Sequence, residues 1–220
     1  MRPEIVMTRI ARSWIALTRT AGTRRRTGAR TRALLAGLSA ALVWAAPAAA
    51  YPWQVDRSHS QVKFAVDHLG YSLVHGWFRE FDADVDLDPD AVERASVSFR
   101  IRTESVDTAW EGRDRYLRGP DFLDAEAHPT ITFVSTRVRL VSAEVADITG
   151  DLTINGVTRS ETLRATLNKY GPSALAGGEI VAGFTIVGEI DRTAYDVSFA
   201  APHVGKDVEI RVDLEISPRP

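Results

Sequence analysis

The chain has 220 residues with 27 basic and 29 acidic side chains, a formal charge of −2, and no cysteine. Without thiols, disulfide exchange, thiol catalysis and thiolate metal sites are excluded. Residues 1–32 hold nine arginines and one acid, Glu4, so residues 51–220 keep 18 basic and 28 acidic groups, a balance of −10 that argues against nucleic acid as a partner and against a basic lipid-docking patch.

In chain order, residues 1–50 read as a signal peptide rather than as part of the fold. A basic stretch to Arg32 is followed by an uncharged apolar run at 33–46, and then by the small residues Ala48, Ala49 and Ala50. The run is too short for a bilayer core, which takes about twenty residues. Export to the periplasm is therefore expected, with 51–220 as one folded domain. That length suffices for a core without disulfides.

Alternation of apolar and polar residues then predicts eight strands, at 60–68, 73–87, 95–103, 130–141, 144–154, 157–168, 179–190 and 207–216, with an extended lead-in at 53–55. The first places Val62, Phe64, Val66 and His68 on one face, with Lys63, Ala65 and Asp67 on the other. The third sets Val97, Phe99 and Ile101 together. In the seventh, Ala182, Phe184 and Ile186 share a face, but Val181, Gly183, Thr185 and Val187 opposite are uncharged, so it is either covered on both sides or kinked by its glycines. The last opposes Val208, Ile210, Val212, Leu214 and Ile216 to Asp207, Glu209, Arg211, Asp213 and Glu215.

Asn155-Gly156 predicts a type I′ hairpin, whose two central residues need positive φ. Turns are also expected at 69–72 and 86–90, and a longer loop around 170–178. Residues 105–129 lose the alternation. There, Asp107 or Thr108 is expected to cap a short helix and Gly119 to end it, with Pro120 opening a second. Such an insertion would lie across the sheet or over one end of it.

Eight mostly antiparallel strands on short connections make an all-β protein, either a sandwich or a closed barrel. Many strands have ten to twelve residues, about 33–40 Å at the usual rise, which is long for a sandwich of this size. The expectation is an eight-stranded antiparallel barrel with a short helical insertion, just wide enough to be filled by side chains or to hold one small ligand.

Candidate site residues follow from the inward face: Phe64, Val66, His68, Phe81, Phe99 and Ile101 from the first half, and Phe133, Phe184, Ile186, Ile210 and Val212 from the second. As core they would fill the barrel; as lining they would leave a slot, and the residues alone leave both open. His68 either meets a ligand head or merely caps its strand. Arg113, Asp114 and Arg115, in the insertion, either contact that head or belong to a salt-bridged helix surface. His59 with Ser60 reads as a hydrogen-bonded pair fixing the strand entry. None of the five histidines shows a metal-ligand spacing, so no metal is expected. Adjacent His59 and Ser60 point to opposite faces of a strand and no G-x-S-x-G is present, so catalysis is not expected either. Asp82, Asp84 and Asp86 read as a solvated edge.

Several strings resemble the YceI-like family of exported proteins. Asp56, His59, Ser60, Phe64, His68, Gly76 and Phe78 match its N-terminal signature. Arg113, Asp114, Leu117, Asp121, Phe122, Pro129, Phe133 and Ser135 match the central one, and Gly150, Leu152, Thr153 and Gly156 a later one. Residues 191–195 match only loosely the family's late Arg–Ser–x–aromatic–Gly turn. The resemblance implies a lipocalin-like barrel that holds a long amphiphile, such as an isoprenoid quinone, a polyprenyl phosphate or a fatty amide. The expected function is thus a periplasmic, non-enzymatic carrier of a long-chain isoprenoid or similar lipid. It would need no cofactor other than such a bound quinone or polyprenyl lipid, and would act as monomer or homodimer. Transient contact with the membrane or a membrane cytochrome would load or use the lipid. The rivals are a ligand-free stress or interaction protein with a filled barrel, and a quinone-dependent redox partner.

Overall fold

The computed structural model describes residues 52–219; the signal-peptide expectation lies outside them. Eleven strand segments form one antiparallel sheet that closes on itself. Six are halves of three composite strands, so the barrel has eight staves. The first stave is β1 (Pro52–Val55) plus β2 (Gln61–His68), and both halves pair with the last strand, β11 (Val204–Pro218). The second is β3 (Ser72–Phe78) plus β4 (Phe81–Asp86), and the third is β5 (Ser96–Arg102) plus β6 (Val106–Asp107). The other five staves are continuous: β7 (Thr130–Leu140), β8 (Val145–Ile154), β9 (Val157–Pro172), β10 (Ile180–Asp191) and β11. The lead-in at 53–55 is therefore half of the first stave, and the strand expected at 73–87 bends once on the way.

Side chains and crossed backbone bonds explain the breaks. Between β1 and β2, the Asp56 carboxylate accepts the Ser58 amide at 2.8 Å and its hydroxyl at 2.6 Å, an Asx-type turn that competes with the ladder. Ser60 then restores pairing by accepting the Glu215 amide at 3.0 Å. Beside this, Arg79 donates its amide to Ser105 O, and Arg102 to Glu80 O, so the second and third staves break at the same height. The backbone groups freed by the bends stay satisfied, as burial requires.

Asn155 (φ 50°) and Gly156 (φ 76°) form the predicted tight hairpin between β8 and β9. The insertion contains one helix, α1 (Glu111–Arg118), ended by Gly119 as expected. It starts later than predicted. Asp107 accepts the Ala109 amide instead of capping, Thr108 donates to Asp114, and Trp110 is the residue at the helix start, without a side-chain cap. No second helix follows Pro120; Phe122 and Asp124 donate their amides to Gly119 O and the chain continues in turns.

The seventh predicted strand, β10, is kinked: its pairing with β9 shifts register between Gly183 and Phe184. Its uncharged outer face is not covered by another layer. Val187 is exposed, and Thr185 donates to Asp213 at 3.1 Å.

Side chains fill only one end of the barrel. Trp53, Val85, Val138, Ala182, Leu214 and Ile216 are buried together there. The Trp53 indole donates to Leu87 O at 2.8 Å and meets the Tyr170 ring edge-on, which shuts that end. Apolar burial at about 25 cal/mol per Å² anchors the staves at this level.

Candidate functional site

Above the packed end, the lumen opens into an apolar cavity of about 600 Å³. Its floor follows from register. Val212 pairs with Ile186 and both line the cavity, whereas one layer further along, Leu214 pairs with Phe184 and both belong to the packed end. Phe99 lies opposite Phe133, and both rings reach the cavity. Going up the wall, β2 contributes Val62, Phe64, Val66 and His68, and β11 contributes Val208 and Ile210.

Nine of the eleven residues predicted as lumen lining stand on this wall: Phe64, Val66, His68, Phe99, Ile101, Phe133, Ile186, Ile210 and Val212. Phe81 and Phe184 do not. Phe81 follows the bend at 79–80, is buried, and lies under the Arg57 guanidinium, 5.5 Å from its ring centre. Phe184 follows the register shift in β10 and packs a layer below.

Of the three proposed head contacts, only Arg113 lines the cavity. Asp114 is buried behind it and accepts both the amide and the hydroxyl of Thr108. Arg113 in turn donates to Thr108, from Nε to Oγ1 and from Nη2 to O, both at 2.7 Å. Asp114 is thus a positioning group for the start of α1, and the salt-bridged-surface reading fails for this pair.

The mouth was not visible as a unit in the sequence. Trp110 reaches it from the position before α1, Tyr116 and Leu117 from α1 itself, and Phe122 and Leu123 from the turns that follow. Tyr195, Val197 and Phe199 come from the segment joining β10 to β11. The two sides meet where the Phe122 and Phe199 rings stand edge to face, 5.3 Å apart. Trp110, Tyr116 and Phe199 are 63%, 72% and 54% exposed, so each has one face toward the cavity and one toward water. Apolar residues scattered among charges at 105–129 were one available signal; the loose match of 191–195 to the family's late turn was the other, and for 196–199 there was none.

Arg192 braces this mouth. It is buried and donates to the carbonyls of Gly205 (2.8 Å), Val197 (2.6 Å), Phe199 (3.1 Å) and Val204 (2.9 Å). Burial pushes its pKa down, against the field of neighbouring Asp191. Tyr195 is fully buried and donates to Glu161 at 2.7 Å; burial first, then that bond, pushes its phenol up.

The histidines divide as follows. His68 lines the cavity and pairs with Val204. His59 and Ser60 do not bond to each other. His59 instead bonds to Asp56 at 2.7 Å, which raises its pKa, while the Ser58 and His59 hydrogen bonds lower Asp56 to about 2. Asp56, His59 and Glu215 bring one ligand atom each within 4.8 Å, a grouping that the i, i+2 and i, i+4 spacings did not reveal. The group is outside the cavity wall; Asp56 and His59 are held by their mutual hydrogen bond, and Glu215 contributes its negative charge near His59.

The YceI-like domain family matches residues 53–216. The chain is 36% identical over 170 residues to the YceI protein of Escherichia coli O157:H7, covering 77% of this chain and 87% of that one. The chain belongs to the YceI-like family. Among solved structures, BcnA of Burkholderia cenocepacia superposes with a TM-score of 0.67 at 26% identity, over 74% of this chain and 99% of that one. A polyisoprenoid-binding domain from Saccharophagus degradans superposes at 0.54 and 11% identity, over 76% and 98%, which shows a shared fold. The family signature acquires physical meaning here. Gly76 and Gly150 lie against the rings of Phe64 and Phe133, where a Cβ would meet ring carbons at 2.2 and 2.5 Å. These YceI-like residues keep two aromatic walls of the cavity in place.

Proposed function

We propose that this YceI-like protein is an exported, non-enzymatic carrier that shields the tail of a long-chain isoprenoid or similar amphiphile in its barrel. The observation that carries the reading is the cavity: about 600 Å³, almost wholly aliphatic and aromatic, closed at one end by Trp53 and bordered at the other by half-exposed aromatics. That volume is within the range of about 300–1,000 Å³ usual for small-molecule sites. A barrel filled throughout by its own side chains, the main rival, does not match this half-empty lumen. The basic-apolar-small order of residues 1–50 supports periplasmic placement. The Saccharophagus degradans domain of the same fold supports an isoprenoid tail over other apolar guests.

Binding would proceed by transfer of apolar tail surface from water to the wall, at about 25 cal/mol per Å², with no covalent step. The test is to purify the exported protein from periplasm, denature it, and analyse the organic extract by mass spectrometry. A stoichiometric prenyl lipid is expected. Repeated absence of lipid, together with failure to take up added quinone or polyprenol, overturns the carrier reading.

A further inference from the structure

We infer that the cavity selects an amphiphile with an anionic head, a phosphate or carboxylate, and that Arg113 at its mouth receives that charge, with the buried Arg192 adding its positive field. The inference rests on the carrier reading and names the head that the apolar wall alone leaves open.

The charge inventory of the wall points this way. Its formally charged side chains are Lys63, Arg113 and Arg192, all cationic, and no carboxylate among the described residues lines it. This is the reverse of the domain as a whole, where residues 51–220 carry 28 acids against 18 bases. Lys63 is neutralised by Asp213 at 2.8 Å. Arg113 and Arg192 differ. Among the described residues, neither has a carboxylate oxygen within the 4.0 Å of an ion pair.

The two arginines belong to one end of the cavity. Arg192 holds the Phe199 carbonyl, the Phe199 ring meets Phe122, and Phe122 follows the helix that carries Arg113. The acids nearest in sequence are engaged elsewhere. Asp191 accepts from Thr193 and from Lys206 at 3.0 Å, and Asp114 accepts from Thr108, so its negative charge sits behind Arg113. The relay Asp114–Thr108–Arg113 therefore turns its positive end toward the cavity. The Arg113 guanidinium also lies over the Trp110 ring, 5.7 Å from its centre, which fixes its plane and leaves Nη1 uncommitted.

The buried Arg192 guanidinium is hydrogen-bonded only to carbonyls and feels Asp191 without pairing with it, and an incoming anion offsets part of its desolvation cost. Guanidinium groups bind phosphate and carboxylate with charge-assisted, often paired, hydrogen bonds. A cationic head would meet uncompensated like charge at the same place.

The test uses the purified, delipidated exported protein and three probes of equal tail: geranylgeranyl phosphate, geranylgeraniol and geranylgeranylamine. The phosphate is expected to bind at least tenfold tighter than the alcohol, and the amine more weakly than the alcohol. Arg113→Gln is expected to reduce the ratio of phosphate to alcohol affinity about tenfold, and Arg113→Lys to keep most of that ratio. Equal affinity for phosphate and alcohol in the unaltered protein overturns the head assignment and leaves the carrier reading standing. Failure of all three to bind overturns both. Should Arg113→Gln lose alcohol binding through misfolding, the ranking of the three probes on the unaltered protein decides alone.

Discussion

At Gly76 there is no room for a side chain, because the Phe64 ring occupies the space where a Cβ would sit, 2.2 Å from Cζ. Gly76→Ala should drive that ring toward the cavity. Overpacking of this kind costs about 1–3 kcal/mol, and the displaced ring should also weaken tail binding. Urea unfolding together with a lipid titration checks this; unchanged stability and affinity would show that Phe64 has another place to go. Asp213 supports a prediction about acid. Burial raises its pKa, but hydrogen bonds from Arg211, Lys63 and Thr185 outweigh this and hold it at about 2. A carboxyl whose folded pKa is depressed contributes stability above its unfolded pKa of about 3.9 and loses it as pH falls through the folded value. Stability should thus decline between about pH 4 and pH 2, and Asp213→Asn should flatten that decline, as read by thermal unfolding at stepped pH.

The helix α1 borders one side of the cavity mouth. Its charged outer face carries ion pairs of Glu111 with Arg115 and Arg118, which at that exposure contribute little. What holds its start is Asp114, buried and bonded twice to Thr108. Asp114→Ala should leave the Thr108 amide and hydroxyl without their acceptor, at about 1–3 kcal/mol. Hydrogen exchange should then accelerate within 111–118 ahead of the barrel strands; uniform exchange across the molecule would argue against a local anchor. The composite staves are the second lesson at this level. Alternation located β2, β4 and β5 because it reads side-chain faces. It was blind to the bend at 79–80, which depends on bonds between segments far apart in the chain such as Arg79 to Ser105, and to the bend at 56–60, where a local Asp56–Ser58 turn acts together with the distant Ser60–Glu215 bond.

In the whole molecule, the barrel divides into a packed end that supplies rigidity and an open end that holds the cavity. The division is testable by two truncations on one strand. Ile216, 1% exposed and in the packed end, should cost about 2–5 kcal/mol when cut to Ala. Ile210, on the cavity wall, already borders free volume, so Ile210→Ala should cost less than Ile216→Ala while weakening tail binding more. Equal costs would mean that the lumen is packed evenly. A lipid that binds only the folded barrel should also stabilise it, by about 2.7 kcal/mol at a hundredfold excess over Kd. The shift should vanish for a short-chain analogue that cannot fill the cavity.

By itself the sequence determined the strands, their inward faces, the Asn155-Gly156 hairpin and the barrel of eight staves, because these follow from period-two patterning and local turn chemistry. It also placed on the inward face the nine residues that border the cavity, since a residue that faces inward in a closed sheet has nowhere else to point, but it left open whether they fill the lumen or line it. Tertiary structure alone decided where the filling stops. Phe184 and Ile186 alternate alike in the sequence, yet one is packed and the other borders open space, because the height of each depends on its register with β11. The roles of Arg113 and Asp114 were settled in the same way. Adjacent charges in a helical insertion look equivalent until Thr108, held opposite them by the end of the third stave, draws Asp114 inward and leaves Arg113 at the mouth.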